Sequence, residues 1–342
     1  MVKVFAPVNI AWIKYMGKHA GKPSNPSLSM TLSNSGTHTR ITRVADSDGL
    51  VFRFSDRGYV PPVVGLAKAS AFLSDVALFQ SVLEPFGFAV SAPSGVYEIL
   101  TLNTVPAGTG IATSASGFAA LTLAWAGVLC GQDLPRFRDS FEKDPQLRKS
   151  LAAVSAKGSG SSCRSFGGPF VEWDPDSGIT EWYPVGEYVD FILLLETGVK
   201  DVSSSEAHER VRTSARFKGR EERVRARLER VRQGLHGSDR GLLPEVVLEE
   251  AIDMHELFHT SVPAFRYWNG ESEAWIRRIR DSEGGVPSRN GILTFDAGAN
   301  AHLFVPSAEA SLWQHYFATV HPGLRIVMDV SGKGARFDDS HF

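Results

Sequence analysis

Short apolar runs broken by turn residues fill the first half of the chain, and longer amphipathic stretches fill the second. Residues 37–44 alternate polar and apolar side chains (His38-Thr39-Arg40-Ile41-Thr42-Arg43-Val44), which predicts a half-buried strand. Leu50-Val51-Phe52-Arg53-Phe54 predicts a short strand paired with it, and Tyr97 to Leu102 another. Leu66 to Leu83 has helical periodicity, and Ala115 to Leu129 is apolar nearly all round, the mark of a buried helix. Phe170-Val171-Glu172-Trp173 reads as a strand, and the continuous run Phe191 to Leu195 as a central one. Ser205 to Gln233 predicts one long charged helix with Phe217, Val224, Leu228 and Val231 on its apolar face, its Arg and Glu majority forming a solvated surface. Val246 to His259 is a further helix, Ile292 to Phe295 and His302 to Phe304 are paired strands, and Leu324 to Met328 is the last strand. Strands and helices mix without βαβ alternation, so the expected fold class is α+β. A composition shift near residues 185–190 predicts a boundary, with one domain over 1–187 and a second over 188–342.

The 342 residues are long enough for one large or two medium domains. A formal net charge of −2 gives no drive toward nucleic acid or a membrane surface. The opening residues carry no long apolar run, and no stretch is long enough to span a bilayer. Cys130 and Cys163 form neither a disulfide framework nor a zinc spacing. The expected setting is the cytoplasm.

The chemistry concentrates in a few segments. Pro106-Ala107-Gly108-Thr109-Gly110-Ile111-Ala112-Thr113-Ser114-Ala115-Ser116-Gly117 is rich in glycine and hydroxyls and runs into the apolar helix. A glycine loop feeding a helix N-terminus suits an anion, because free N–H groups and the helix dipole point at it. It is neither a Walker loop nor G-x-G-x-x-G, and two readings stay open: phosphate binding, or a flexible loop capping a buried helix. Near the start, Lys14 and Lys18 flank Gly17, which predicts a loop; they are either solvent-exposed or placed to neutralise an anion. Gly158-Ser159-Gly160-Ser161-Ser162-Cys163-Arg164-Ser165 surrounds one guanidinium with hydroxyls, the group that grips carboxylate or phosphate bidentately. Asp296 leaves an apolar strand into a turn, as a general base, a metal ligand or an Asx-turn. Lys200 to Ser205 either caps the long helix through Ser204 or Ser205, with Ser205 preferred, or binds phosphate. His255-Glu256-Leu257-Phe258-His259 matches the bare H-E-x-x-H zinc pattern, but no third ligand is apparent and a pair of ordinary helix histidines is expected.

Together these segments resemble the diphosphomevalonate decarboxylase family of the GHMP kinase superfamily. Asn9-Ile10-Ala11-Trp12-Ile13-Lys14-Tyr15-Met16-Gly17-Lys18 is similar to the family's N-I-A-x-I-K-Y-W-G-K, and Asn25-Pro26-Ser27-Leu28-Ser29 to N-x-S-L-S. Residues 106–117 resemble its phosphate loop, and Gly158 to Ser165 its G-S-G-S-A-C-R-S with Ser162 for alanine. Thr213-Ser214, Met254-His255, Tyr267-Trp268 and Thr294 to Asn300 follow in the family's order.

The resemblance implies a GHMP-kinase-type two-domain fold: an N-terminal α+β domain with the phosphate loop, a ferredoxin-like C-terminal half and a cleft between them. It implies ATP-dependent phosphorylation of the 3-hydroxyl of (R)-5-diphosphomevalonate, then loss of phosphate and carbon dioxide to give isopentenyl diphosphate. In that reading Asp296 is the catalytic carboxylate, Arg164 clamps the substrate carboxylate, and Lys18 is the cation that keeps Asp296 ionised. Asn9, Lys14, Tyr15, Ser159, Ser161 and Ser214 are substrate contacts. Ala107, Gly108, Gly110, Ala112, Thr113 and Ser114 hold the ATP phosphates, with Mg2+ bridging them and Ser114 the candidate protein ligand. The resemblance also implies a homodimer.

Several positions depart from the family pattern. Met16 replaces tryptophan, which is expected to alter the wall beside the substrate; Ala299 replaces a proline, and Ala264 sits where a second is usual. Ala107-Gly108-Thr109 and Thr113 loosen the phosphate-loop match, and residues 219–233 resemble the family only in the Phe217-Lys218 approach. Three alternatives stand beside the main reading: a 5-phosphomevalonate decarboxylase giving isopentenyl phosphate, a mevalonate 3-kinase, and a catalytically silent phosphate-binding protein. Asp296 argues against the kinase, and Lys18, Arg164 and Asp296 together argue against the silent protein.

Overall fold

The computed structural model describes residues 1–19, 22–55, 63–105, 113–196, 201–237 and 239–338. Two main sheets organise them. The first is seven-stranded and runs, from one edge, Arg336–Phe337, Val2–Ile13, Ser27–Ala45, Gly95–Asn103 and Leu50–Phe54. Phe170–Asp174 pairs with the start of the Ser27–Ala45 strand and with Gly178–Trp182. The second sheet is four-stranded and antiparallel, in the order Ile292–Phe295, Ala301–Pro306, Tyr188–Leu193 and Ile326–Val330.

The Val2–Ile13 strand joins the two halves because nearly all of it is buried. Its register against Ser27–Ala45 shifts between Pro7 and Asn9. Before the shift, Val2, Val4 and Ala6 pack in the core containing Trp125 of the Thr113–Leu129 helix. After it, Val8, Ile10 and Trp12 pack in the core between the two sheets. A local irregularity in a ladder thus changes which layer the even positions face. Trp12 meets Phe170, Tyr188 and Phe304 edge-on at ring distances of 4.7, 5.3 and 5.4 Å, one residue from the first sheet and two from the second. On the far face of the second sheet, Trp275 and Ile276 of the Gly270–Asp281 helix and Trp313 and Phe317 of the Ala310–Val320 helix cover Phe191, Leu193 and Leu303.

The main strand and helix expectations hold, with four differences. Leu50–Phe54 pairs in parallel with Gly95–Asn103, not with residues 37–44, which lie between Val2–Ile13 and Gly95–Asn103. The helix expected over 66–83 is two helices, Val63–Ser74 and Val76–Leu83; the Asp75 carboxylate accepts the Leu78 N–H at 3.2 Å and starts the second. The long helix expected over 205–233 is also broken. Ser203, not Ser204 or Ser205, caps a short Ser204–Arg210 helix, and the chain restarts at Arg220–Leu235 after Gly219, whose φ of +75° no regular helix accepts. The last strand is not the end of the fold: the chain returns to the first sheet, where Arg336–Phe337 pairs with Val2–Ile13.

Candidate active site

Lys14 follows the end of the first strand and is 2% exposed. Every polar group it carries is engaged. Its N–H donates to Glu250 Oε1 at 3.2 Å, and its carbonyl accepts from Asn25 Nδ2 at 2.8 Å and from Arg220 Nη2 at 3.4 Å. Its ammonium donates to Asp296 Oδ1 at 2.8 Å. Burial lowers the Lys14 pKa, Asp296 and Glu250 pull it back up, and Arg164 pushes it down.

Asp296 sits just past the Ile292–Phe295 strand, with its side chain 22% exposed. Its backbone carbonyl pairs with His255 Nε2 at 3.1 Å, and the His255 ring stacks on Trp268 at 4.0 Å. Burial pushes the carboxyl upward, but Lys14, His302 and Arg164 together hold it below the usual carboxylate range. Asp296 is therefore held as a carboxylate with a partly exposed side chain.

Arg164 lies in the turn of 3-10 helix Gly160–Phe166 and is 4% exposed. Its Nε donates to Asn9 Oδ1 at 3.2 Å and to Ser29 Oγ at 3.0 Å, and its Nη1 to Ser27 Oγ at 2.5 Å. All three partners are neutral, and no carboxylate pairs with it among the described residues. A buried guanidinium held only by neutral oxygens retains its attraction for an anion, and desolvation strengthens that attraction.

The other candidates fall into distinct places. Asn9 uses its amide on Arg164, on Ser165 Oγ at 2.9 Å and on the Ser161 carbonyl at 3.3 Å, so it holds the arginine from beneath. Ser159 ends the Pro145–Gly158 helix, and it and Ser161 are half-buried beside Tyr15, since a Cβ on Gly160 would meet the Tyr15 ring at 2.8 Å. Tyr15 is 8% exposed, and its hydroxyl has no hydrogen-bond partner among the described residues. Ser214 pairs with Thr260 Oγ1 at 2.6 Å, and none of its hydrogen bonds reaches Asp296 or Arg164. Ser114 is exposed in the first turn of the Thr113–Leu129 helix. Ala107, Gly108, Gly110 and Ala112, and the side chain of Thr113, lie outside the described residues.

One expectation changes. The cation in contact with Asp296 is Lys14, not Lys18; the charge of Lys18 instead acts on His208 and Lys68. The reason is position: Lys14 ends a buried strand that runs beside Asp296, whereas Lys18 lies past the turn at Gly17, whose φ is +91°. Met16 is 4% exposed and packs with Val202, Ala207, Val211, Met254, Leu257 and Phe258. His255 is buried against Asp296 and Trp268, 6.5 Å from the His259 ring, and no three His, Cys, Asp or Glu side chains form a metal site among the described residues.

Sequence reasoning missed Glu250, Arg220, His208, Asp190 and His302. Glu250 stands at helical spacing with Val246 and Met254, a charge on an apolar face; Asp190 interrupts the apolar strand Tyr188–Leu193. Both carry the signal of a buried charge. His208 accepts the Gly17 N–H at Nδ1 (3.0 Å) and packs on Tyr15 at a ring distance of 4.4 Å, so it braces the Lys14 loop.

Comparison with known proteins identifies the family. The diphosphomevalonate decarboxylase of Aspergillus fumigatus is 30% identical over 319 residues, covering 87% of this chain and 75% of that protein. The human diphosphomevalonate decarboxylase is 27% identical, covering 91% and 79%. The solved mevalonate diphosphate decarboxylase of Enterococcus faecalis superposes with a TM-score of 0.76 at 27% identity over 99% of both chains. A solved complex with MVAPP, AMPPCP and magnesium gives a TM-score of 0.79 at 26% identity, again over 99% of both. Residues 6–181 match the diphosphomevalonate decarboxylase-like N-terminal domain and residues 191–334 the mevalonate 5-diphosphate decarboxylase C-terminal domain, so the chain belongs to the diphosphomevalonate decarboxylase family.

Proposed function

We propose that this chain carries out the ATP-dependent decarboxylation of (R)-5-diphosphomevalonate to isopentenyl diphosphate, with Asp296, Lys14 and Arg164 as the working residues. The observation that carries the reading is the pairing of a partly open, ionised Asp296 with a buried Arg164 that lacks a carboxylate partner among the described residues. A base and an anion clamp are what a 3-hydroxy acid requires.

The chemistry follows from leaving-group ability. Hydroxide leaves carbon poorly and phosphate leaves well. Asp296 accepts the proton of the 3-hydroxyl as that oxygen forms its bond to the γ-phosphorus and ADP departs with the old bonding pair. Lys14 keeps Asp296 ionised and fixes its direction. Arg164 holds the C1 carboxylate so that the C1–C2 bond aligns with the C3–O bond. The C1–C2 electrons then form the C2–C3 double bond as phosphate leaves from C3 and carbon dioxide from C2.

Ser114 is exposed in the first turn of the Thr113–Leu129 helix, which supports a role for it at the nucleotide phosphates. Mg2+ would arrive on those phosphates and neutralise charge that builds there, with Ser114 as its candidate protein ligand. The half-buried hydroxyls of Ser159 and Ser161, and the Tyr15 hydroxyl that has no partner among the described residues, suit the 5-diphosphate arm in this reading. The domains divide at 187/188 in this reading, with the site between the two sheets. Cys130 and Cys163 are both buried and unpaired, which supports a reducing, cytoplasmic setting. The reading includes a homodimer, which size-exclusion chromatography with light scattering tests.

The test is a substrate panel: ATP, magnesium and each of mevalonate, 5-phosphomevalonate and 5-diphosphomevalonate, following ADP and carbon dioxide. Both products with 5-diphosphomevalonate are expected. ADP without carbon dioxide would make the chain a kinase, and both products only with 5-phosphomevalonate would move the substrate by one phosphate.

A further inference from the structure

The H-E-x-x-H pattern of the Leu242–His259 helix forms no metal cluster among the described residues, and the mechanism above does not use it. Its two histidines have different surroundings. His259 and Glu256 lie toward the surface, their side chains 13% and 41% exposed, with His259 Nδ1 3.9 Å from Glu256 Oε1. His255 is fully buried. Its ring stacks on Trp268 at 4.0 Å and meets Phe258 and Phe295 edge-on at 5.1 and 6.3 Å.

That ring is bonded to the site. Its Nε2 lies 3.1 Å from the Asp296 backbone carbonyl, and its Nδ1 has no hydrogen-bond partner among the described residues. A carbonyl oxygen only accepts, so Nε2 carries the proton and donates. Burial lowers the His255 pKa well below the ordinary imidazole value, and the Lys14 charge adds to this, so the ring is neutral and Nδ1 is a lone pair. The opposite tautomer would bury an N–H with no acceptor and lose the bond to the carbonyl.

Asp296 lacks a ladder to hold it. The Ile292–Phe295 pairing ends with Phe295 opposite Ala301, so Asp296 stands one residue beyond the last paired position. Its carbonyl accepts the Gly298 N–H at 2.8 Å as well as the His255 donor. At the other end of the turn, Ser272 Oγ of the Gly270–Asp281 helix donates to the Ala299 carbonyl at 2.8 Å. The turn that carries the carboxylate is thus pinned at both ends by helix side chains. The helix of His255 also holds Lys14, whose N–H donates to Glu250 Oε1 at 3.2 Å. One helix therefore grips the main chain of both partners in the Lys14–Asp296 pair, and leaves their side chains to meet at 2.8 Å.

We propose, resting on the function above, that His255 is a positioning residue for the reaction: its Nε2–H fixes the Asp296 main chain so that the carboxylate meets Lys14 and the substrate hydroxyl in one geometry. It touches no reacting atom and exchanges no proton. Its work is to place the base on the same rigid helix that places the lysine.

The experiment compares wild type, His255→Phe and His255→Gln, each shown to be folded by thermal melts, in steady state with ATP, magnesium and 5-diphosphomevalonate. His255→Phe keeps a ring against Trp268 and removes only the donor; the carbonyl retains the Gly298 N–H. It is expected to lower kcat about 10- to 100-fold, up to the cost of misplacing a reacting group by roughly 1 Å. KM for ATP should stay at the wild-type value, because a loss confined to kcat marks an interaction that matters in the transition state. His255→Gln returns an amide N–H near the place of Nε2 and should recover most of kcat, which a role in ring packing alone would not produce. In histidine-labelled wild type, nitrogen-15 spectra should show His255 as the Nε2–H tautomer, assigned by its loss in His255→Gln. A His255→Phe enzyme with wild-type kcat, a His255→Gln enzyme slowed as much as His255→Phe, or an Nδ1–H tautomer overturns the positioning role. If His255→Phe does not fold, His255→Leu is judged by the same split between kcat and KM. A wild-type protein that makes neither ADP nor carbon dioxide overturns the underlying function instead, which keeps the two failures apart.

Discussion

Two clusters of buried charge lie on either side of Lys14, built from similar residues and put to different use. In one, Arg220 reaches both Glu250 and Asp253, Arg227 bridges the same two carboxylates at 2.9 Å, and Arg223 adds a contact to Asp253 at 3.2 Å. Burial pushes the Asp253 carboxyl up, but these guanidinium groups hold it far below the ordinary range. In the other, among the described residues, Asp296 contacts a single cation and Arg164 is held only by neutral oxygens. The first cluster satisfies itself and fixes the Arg220–Leu235 helix to the Leu242–His259 helix and to Lys14. The second is left with unmatched charge facing a partly open site. The difference teaches that burial of charge alone does not mark an active site; incomplete pairing does.

Breaking each cluster should therefore fail differently. Asp296→Asn keeps the shape and removes the base, and kcat should fall about 10⁴-fold, the top of the range for a lost general base. Nucleotide binding by fluorescence titration and the melting temperature should stay near wild type. A variant still releasing carbon dioxide at a near-normal rate would remove Asp296 from the chemistry. Arg220→Met should act on stability instead. It leaves Glu250 and Asp253 short of their central cation, at a cost of about 3–5 kcal/mol read by urea unfolding. An Arg220→Met protein with wild-type stability would show that Arg227 and Arg223 suffice.

Arg164→Gln sharpens the comparison at the substrate side. Loss of one charge-assisted pair should raise KM for the phosphorylated hydroxy acid about 30-fold, with KM for ATP little changed. Unchanged kinetics with the intact substrate would show that Arg164 does not bind its carboxylate.

The smallest effect belongs to the brace behind Lys14. Burial, with the Lys18 charge, lowers the His208 pKa from 6.5 to about 4. The folded state thus prefers the neutral ring that accepts from Gly17. This contribution is complete above the unfolded pKa and is lost as the pH falls from about 6.5 toward about 4. His208→Gln should be destabilised relative to wild type by about 1 kcal/mol at pH 7, and the gap should narrow by pH 5. A gap independent of pH would mean that His208 does not titrate against folding.

Much of the site was legible in the chain because local motifs carry local chemistry. Asp296 after an apolar strand, Arg164 inside a serine cluster and Lys14 before a glycine turn each have a signal within a dozen residues. The strands were legible for the same reason, since alternation reports a half-buried surface without reference to its partner. Arg220 was not, because an arginine in a run of Arg and Glu is indistinguishable from its solvated neighbours until Glu250 and Asp253 arrive from another helix.

By itself the sequence determined the α+β class, the family and the residue types available for phosphoryl transfer and decarboxylation. Only the tertiary structure decided which lysine meets Asp296, which arginines are already paired, and that His302 pairs with Asp190. The physical reason is that residue type and spacing set a side chain's charge and local conformation, whereas ion pairing depends on distance across elements. The pair Lys14–Asp296 spans nearly the whole chain and forms only because a buried strand and a hairpin pack side by side.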